Sequence, residues 1–268
     1  MRALGAGNRF KLGLFGTNCA SGLAATIVPE RWQASWENNF AVAALAEAAG
    51  IDFLLPLARW RGYRGASDFE GSSLETLSWA GGLLARSERI TIFGTVHAPL
   101  LHPVFAAKQM ATLDHIGQGR FGLNIVCGWN PDEFDMFGIT EREHDDRYGY
   151  GEEWWEIVRR LWTADAEFDF QGRYFTLKGL TGKPAPWQGT RPLVMNAGSS
   201  TAGREFAARN CDLLFTLLID LDHGRKTLDQ ITTLAAAAGR SESCGLPPAR
   251  ELDRSHGRVG LIAPRPGR

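Results

Sequence analysis

Ile90–Val126, ITIFGTVHAPLLHPVFAAKQMATLDHIGQGRFGLNIV, is the stretch whose reading decides the fold. It opens on Ile90–Val96, a β-rich apolar run, and closes on Phe121–Val126, which is apolar on both faces. A strand apolar on both faces is one covered on both sides, as in a parallel sheet. Between them Pro103–Ile116 reads as a helix opening on proline. The first helical N–H has no intrahelical partner, so proline is tolerated there. Strand, crossover helix and strand make one right-handed βαβ unit.

The alternation continues in both directions. Upstream, Lys11–Gly16 reads as a strand, Asn38–Gly50 as a helix capped by Asn38 and stopped by Gly50, Ile51–Leu57 as a strand ended near Pro56, and Leu74–Arg86 as a helix. Downstream, Gly151–Trp162 is an amphipathic helix and Glu167–Leu177 a surface hairpin turning at Gln171-Gly172. Pro192–Asn196, Thr201–Asn210, Cys211–Leu218 and Asp222–Gly239 then supply strand, helix, strand and helix, and Arg258–Ala263 a last strand candidate. Seven strands in series predict an α/β fold, a (β/α)8 TIM barrel in preference to an open doubly wound sheet. The series is one short, so the expectation is one barrel domain over residues 1–268, incomplete at the C-terminus with strand 8 missing, and an atypical Arg-, Pro- and Gly-rich tail at 240–268.

Of the 268 residues 44% are hydrophobic and 22% charged, and the formal net charge is -1. So much apolar content excludes a disordered chain, and the charge balance excludes a basic nucleic-acid surface. The longest aliphatic runs fall far below the roughly 20 residues that cross a bilayer. Cys19, Cys127, Cys211 and Cys244 form no C-x-x-C pair. With no secretory signal pattern at the N-terminus, the expected setting is the reducing cytoplasm, without membrane or nucleic-acid partners.

In a parallel barrel, ligands bind at the carboxyl ends of the strands. Those ends carry Gly16-Thr17-Asn18, Ala58-Arg59, Thr95-Val96-His97, Asn124 with Gly128-Trp129, Asn196–Ser200, and Thr216. The set is rich in hydrogen-bonding groups and poor in paired carboxylates, which suits a flat, polar-edged heterocycle better than a metal or a sugar. Asn196-Ala197-Gly198-Ser199-Ser200-Thr201-Ala202-Gly203-Arg204 follows a strand and opens a helix. Its backbone N–H groups, the serine hydroxyls and the helix dipole make an anion cradle, and Gly198 permits close approach. The plainer reading is a serine N-cap with a glycine turn.

Plain readings stand beside the other candidates too. Thr95 fits a hydrogen-bonded strand threonine, whereas Asn124 inside FGLNIV needs partners if buried. Arg59 and Arg61 fit a solvated loop pair, and His144-Asp145-Asp146 a helix start. Pro99 and Pro103 keep His97 and His102 off one helical face, so no metal site is expected. Cys19 and Cys127 read as inert buried thiols, and Trp154, Trp155 and Trp162 as helix packing.

Taken together, GRFGLNIVCGWNPDEFDMFG (Gly119–Gly138), HDDRYGYGEEWWEIVRRLW, FQGRYFTL and NAGSSTAGREFAA resemble the bacterial luciferase-like flavin monooxygenases. The likeness runs from Lys11 to about Leu218 and is strongest to the pyrimidine, dimethylsulfone and alkanesulfonate monooxygenase branch. It implies a TIM barrel using reduced FMN, supplied by a separate NAD(P)H:flavin reductase, with O2 to oxidise or cleave a C–N, C–S or C–halogen bond of a small substrate. It also implies a homodimer or homotetramer. It places Ala58 and Arg59 against the flavin ring, Asn124 at the ring edge and Glu133 at another flavin contact. Arg147 and Tyr148 fall at the ribityl and phosphate region, and Ser200 at the phosphate beside Gly198 and Ser199. Thr95 and Asn124 are assigned to peroxide placement and Trp129 to the substrate wall. The alternatives are a deazaflavin-dependent oxidoreductase and a truncated, non-catalytic flavin-binding paralogue.

Overall fold

The computed structural model describes Leu4 and residues 11–128, 130–140 and 142–240. The strands are β1 (Gly13–Phe15), β2 (Phe53–Leu55), β3 (Thr91–His97), β4 (Phe121–Val126), β5 (Phe168–Gln171), β6 (Thr176–Leu180), β7 (Leu193–Asn196) and β8 (Leu213–Leu214). The helices are α1 (Trp36–Ala48), α2 (Thr76–Leu84), α3 (Pro103–Ile116), α4 (Pro131–Met136), α5 (His144–Thr163), α6 (Thr201–Asn210) and α7 (Leu221–Ala237). Six strands pair in parallel in the order β1-β2-β3-β4-β7-β8, and β5 and β6 form a separate antiparallel hairpin.

Alternation along the strands sorts the side chains into two cores. Phe53, Leu55, Phe93 and Met195 point inward and meet Leu4, with Phe15 and Phe215 packed against them. Leu54, Ile92, Leu123, Ile125 and Val194 point outward into the larger core, which includes Leu77, Met110 and Trp154 of the covering helices. The Phe15 ring, at the end of the first strand of the sheet, and the Phe215 ring, just after the last, lie 5.0 Å apart. Six flat strands at about 4.8 Å spacing would hold those edges roughly 24 Å apart, so the sheet is curled. It is an incomplete barrel, six parallel strands among the described residues. The expected strand at Arg258–Ala263 and nearly all of the expected tail lie outside those residues.

Several sequence expectations are corrected. Helix α1 is capped by Ser35, whose hydroxyl accepts the Asn38 N–H, so Asn38 sits inside the first turn. Glu75 caps α2 by accepting the N–H groups of Leu77 and Ser78. Helix α5 starts at His144, ahead of the Gly151 expected. Gly149 and Gly151 look like breakers, but a Cβ on Gly151 would lie 2.6 Å from Cys127 Sγ, so the glycine is there for close packing on the end of β4. The strand expected at Cys211–Leu218 is laddered to β7 through Leu213–Leu214, with Thr216 a single bridge residue beyond it, and in the one at Ile51–Leu57 the strand is Phe53–Leu55.

Two polar ties fix the strand ends. Arg191 grips Asp212 through two hydrogen bonds of 2.6 and 2.8 Å, joining the start of β7 to β8. Asn18, fully buried, accepts the Leu57 N–H at 2.8 Å and donates to the carbonyls of Leu57 and Leu74 at 2.8 and 3.0 Å. It therefore clamps the loop after β1 to the segment that continues into Ala58-Arg59. Asn18→Ala removes three hydrogen bonds to part-buried backbone groups and is expected to cost about 2–4 kcal/mol, at about 0.5–1.5 per bond. Calorimetry should show this as a Tm fall of roughly 5–15 °C. A fall under roughly 2 °C would show that the clamp is dispensable.

Candidate active site

Because the strands run parallel, their carboxyl ends share one face. The register sets Thr95 opposite Asn124, Asn124 opposite Met195, and Ile125 opposite Asn196. Above them opens a cavity of about 520 Å³, floored by Phe15, Leu55 and Phe215 and walled by the strand-end polar residues. Thr95 donates its hydroxyl to the Pro56 carbonyl at 2.7 Å and accepts from Asn124 Nδ2 at 3.2 Å. The plain reading of Thr95 as a bonded strand threonine therefore holds. Asn124 differs: its donor is engaged by Thr95, while Oδ1 is buried without a hydrogen-bond partner. A buried acceptor left unsatisfied costs about 1–3 kcal/mol, so this carbonyl favours any ligand that brings a donor.

At the other end of the same cavity lies the β7–α6 turn. Asn196 donates to the Ile125 carbonyl at 2.7 Å and accepts the Gly198 N–H at 2.8 Å, fixing the turn against β4. A Cβ on Gly198 would lie 2.6 Å from Gly203 Cα and 2.9 Å from the Tyr148 hydroxyl, so only glycine fits. Ser200 is the N-cap of α6, accepting the Gly203 N–H at 3.1 Å, so the plain cap is present as well. Arg147 and Tyr148, from the first turns of α5, line the cavity beside Ala197–Ser200. Arg147 donates to the Gly128 carbonyl at 3.2 Å, and Tyr148 is hydrogen-bonded to Ser200. A guanidinium, two serines and a helix N-terminus converge where an anionic group could sit.

The loop after β2 is built on buried charge. Arg59 is buried and ion-paired to Glu70 at 2.6 Å, which corrects its reading as a solvated loop residue. Arg61 does face solvent and pairs with Asp132 at 3.7 Å. Burial raises the Glu70 carboxyl above its usual range against the opposing pull of Arg59. Glu133 is buried behind this loop rather than lining the cavity; its Oε1 accepts the N–H groups of Trp60 and Arg61 at 2.9 and 3.3 Å. Its Oε2 lies 3.4 Å from His97 Nδ1. The sequence sets His97 among the strand ends and near His102, but gives no sign of its pairing with Glu133. His102 instead accepts the Val104 N–H at the start of α3. The visible signal was His97's place two residues beyond Thr95, on the same face of β3.

The remaining candidates sort simply. Trp129 lies outside the described residues. Cys19 and Cys127 are buried, with thiols pushed up by burial to about 12, well removed from reactive thiolates. Trp154, Trp155 and Trp162 are core side chains. Among the described residues no three side chains cluster as metal ligands, and no helix is long and apolar enough to cross a membrane. A second cavity, of about 240 Å³, shares Ala58, Arg59, Thr95 and His97 with the first and continues between Leu74, Leu101 and Phe105.

Comparison with known proteins matches the chain to a family. The family model described as luciferase-like monooxygenase covers residues 13–250. An FMNH(2)-dependent dimethylsulfone monooxygenase of Pseudomonas putida is 32% identical over 229 residues, 85% of this chain and 62% of the relative. The pyrimidine monooxygenase RutA of Enterobacter sp. (strain 638) is 33% identical over 207 residues, 76% of this chain and 56% of the relative. The chain thus spans about three fifths of the length of these curated relatives. Among solved structures, riboflavin lyase (RcaE), with modified FMN and substrate riboflavin, aligns with a TM-score of 0.79 at 26% identity over 87% of this chain and 60% of that one. Long-chain alkane monooxygenase (LadA) shares the fold, with a TM-score of 0.76 at 23% identity over 88% of this chain and 62% of that one. The expectation drawn from the strand and turn motifs is met: the chain belongs to the luciferase-like monooxygenase family.

Proposed function

We propose that the chain binds FMN across the strand-end cavity and, with the flavin reduced, serves a monooxygenase that acts with O2 on a small organic substrate. The observation that carries this reading is the pairing of two ends in one cavity: the unsatisfied Asn124 carbonyl at one, the α6 N-terminus with Arg147 at the other. A volume of about 520 Å³ falls within the range of cofactor pockets, about 300–1,000 Å³. Arg147, Ser199, Ser200 and the Gly198 turn would hold the phosphate, Tyr148 the ribityl chain, and Ala58-Arg59 the flank of the ring. Asn124 would accept from a ring N–H. The dimethylsulfone relative is FMNH2-dependent by name, which favours FMN over a deazaflavin.

Reduced FMN, when bound, supplies the two electrons that monooxygenation of a substrate by O2 requires. The chain's own residues orient and dry the site. Phe15, Leu55 and Phe215 close the floor against water, and Thr95 with Asn124 presents hydroxyl and amide groups at the oxygen side. We place the organic substrate in the adjoining 240 Å³ cavity, between Leu74, Leu101 and Phe105. The two relatives are named for a sulfone and a pyrimidine, which favours a carbon–sulfur or carbon–nitrogen bond, and a carbon–halogen bond belongs to the same proposal. A separate NAD(P)H:flavin reductase as electron source, and a homodimer or homotetramer as the assembly, belong to the same proposal.

Titration of the chain with FMN, followed by flavin fluorescence, is expected to saturate at one FMN per chain. A linear, unsaturable response would overturn the reading. Arg147→Ala is expected to weaken the Kd about 10–100-fold, since a charge-assisted hydrogen bond contributes about 1.5–3 kcal/mol. Gly198→Ala should weaken it by about tenfold or more through the backbone clash, at 1.4 kcal/mol per tenfold. Thr95→Ala leaves the phosphate anchors intact, so its Kd should stay within about threefold of wild type, under 1 kcal/mol. Equal losses in Thr95→Ala and Arg147→Ala would contradict this division of roles.

A further inference from the structure

We infer that His97 is the proton-exchanging residue of this site and that Glu133 acts through it as a positioning residue; the inference rests on the FMN reading above. His97 ends β3 and lines both cavities, at the wall between them. Its Nδ1 lies 3.4 Å from Glu133 Oε2, with both side chains buried. Glu133 cannot swing away, because its other oxygen is held by the backbone N–H groups of Trp60 and Arg61. A carboxylate fixed in this way favours the Nδ1–H tautomer of a neutral imidazole and leaves Nε2 as a bare acceptor. Catalytic contacts are often this loose before ligand arrives.

Elimination among the cavity's titratable groups leads to the same residue. Arg59 and Arg147 are guanidinium donors and offer no acceptor. Burial raises the Cys127 thiol to about 12 and lifts the Tyr148 phenol above its usual range. Of the described lining residues, that leaves His97, whose neutral imidazole carries one acceptor nitrogen on the wall between the cavities. The charges around it are Glu133 from α4, Arg59 with its partner Glu70 from the loop after β2, Glu75 across the second cavity, and Arg147 with Tyr148 across the first. Glu133 pulls the imidazole toward its charged form and Arg59 opposes, but burial dominates and holds the ring neutral. Burial thus opposes the charged ring, and the Glu133 carboxylate beside Nδ1 is the group that offsets that cost when Nε2 takes a proton.

The proton path balances in the simplest reaction of the site, which needs no organic substrate. When O2 reoxidises reduced FMN, two electrons and two protons pass to oxygen, giving FMN and hydrogen peroxide. His97 takes one of those protons at Nε2, holds it as an imidazolium against the Glu133 carboxylate, and releases it to the oxygen side, returning to neutral.

Two measurements test this. In the flavin-free, 15N-histidine-labelled chain, the His97 signals should report the neutral Nδ1–H tautomer from pH 6 to 8, with that preference lost in Glu133→Gln. A protonated ring or the opposite tautomer in wild type would overturn the inference, whatever any variant does. In stopped flow, FMN-loaded protein is reduced anaerobically and mixed with aerated buffer. His97→Ala should reoxidise about 100-fold more slowly while binding FMN normally, and added imidazole should restore the rate in proportion to its concentration. An unchanged rate, or a slow rate that imidazole leaves untouched, overturns the role of His97 while the FMN reading stands. Failure of the wild-type chain itself to bind FMN removes that reading and this inference together.

Discussion

The parallel register of β3 against β4 is the constraint on which the site depends. It sets Thr95 beside Asn124 at the end where all the strands finish. Thr95 is itself fixed by the Pro56 carbonyl, so the hydroxyl is in place to accept the Asn124 donor. The asparagine is then left with one option: its carbonyl stays unsatisfied at the cavity. A slip of one residue in either strand would turn its member of the pair to the opposite face, among the outer core residues. The curl of the sheet completes the arrangement by drawing Phe15 and Phe215 together as an apolar floor.

Around that pair the protein buries charge, which is costly unless every charge is partnered. Arg59 meets Glu70, and Glu133 is held by two backbone N–H groups beside His97. These interactions shape the loop after β2, which Asn18 clamps from the other side. The wall between the two cavities is therefore a network of hydrogen bonds and ion pairs in a dry setting, where electrostatic effects are strong. At the opposite end the α6 cap, Gly198 and Arg147 make a separate anchor, tied back to β4 through Asn196. An elongated ligand with a polar-edged ring and an anionic tail matches both ends at once.

Much of this was legible in the chain. Helix α3, strand β4 and helix α6 run over the residues expected, because proline, Gly117 with Gly119, and the serine cap punctuate them plainly. The strand ends named Ala58, Arg59, Thr95, Asn124 and Gly198–Ser200, the family resemblance alone added Arg147 and Tyr148, and all of these residues line one cavity. Local signals failed where tertiary contacts decide. The glycines at the start of α5 mimic breakers, but Gly151 serves packing on Cys127. Helix α4 is too short for a periodicity to show, and its Asn130 cap and Pro131 were its only cues. Arg59 and Arg61 look alike in sequence, yet one meets the buried Glu70 and the other solvent-facing Asp132. The His97–Glu133 pair joins distant segments, and no spacing rule announces it.

The central claim is that the two ends of one cavity receive the two ends of FMN. The most direct measurement is a crystal structure of the chain with FMN bound. The account predicts phosphate oxygens within hydrogen-bond distance of Arg147, Ser199 or Ser200, and a ring N–H donating to Asn124 Oδ1. A flavin seated elsewhere, or one whose phosphate lies at the Thr95–Asn124 end, would contradict it.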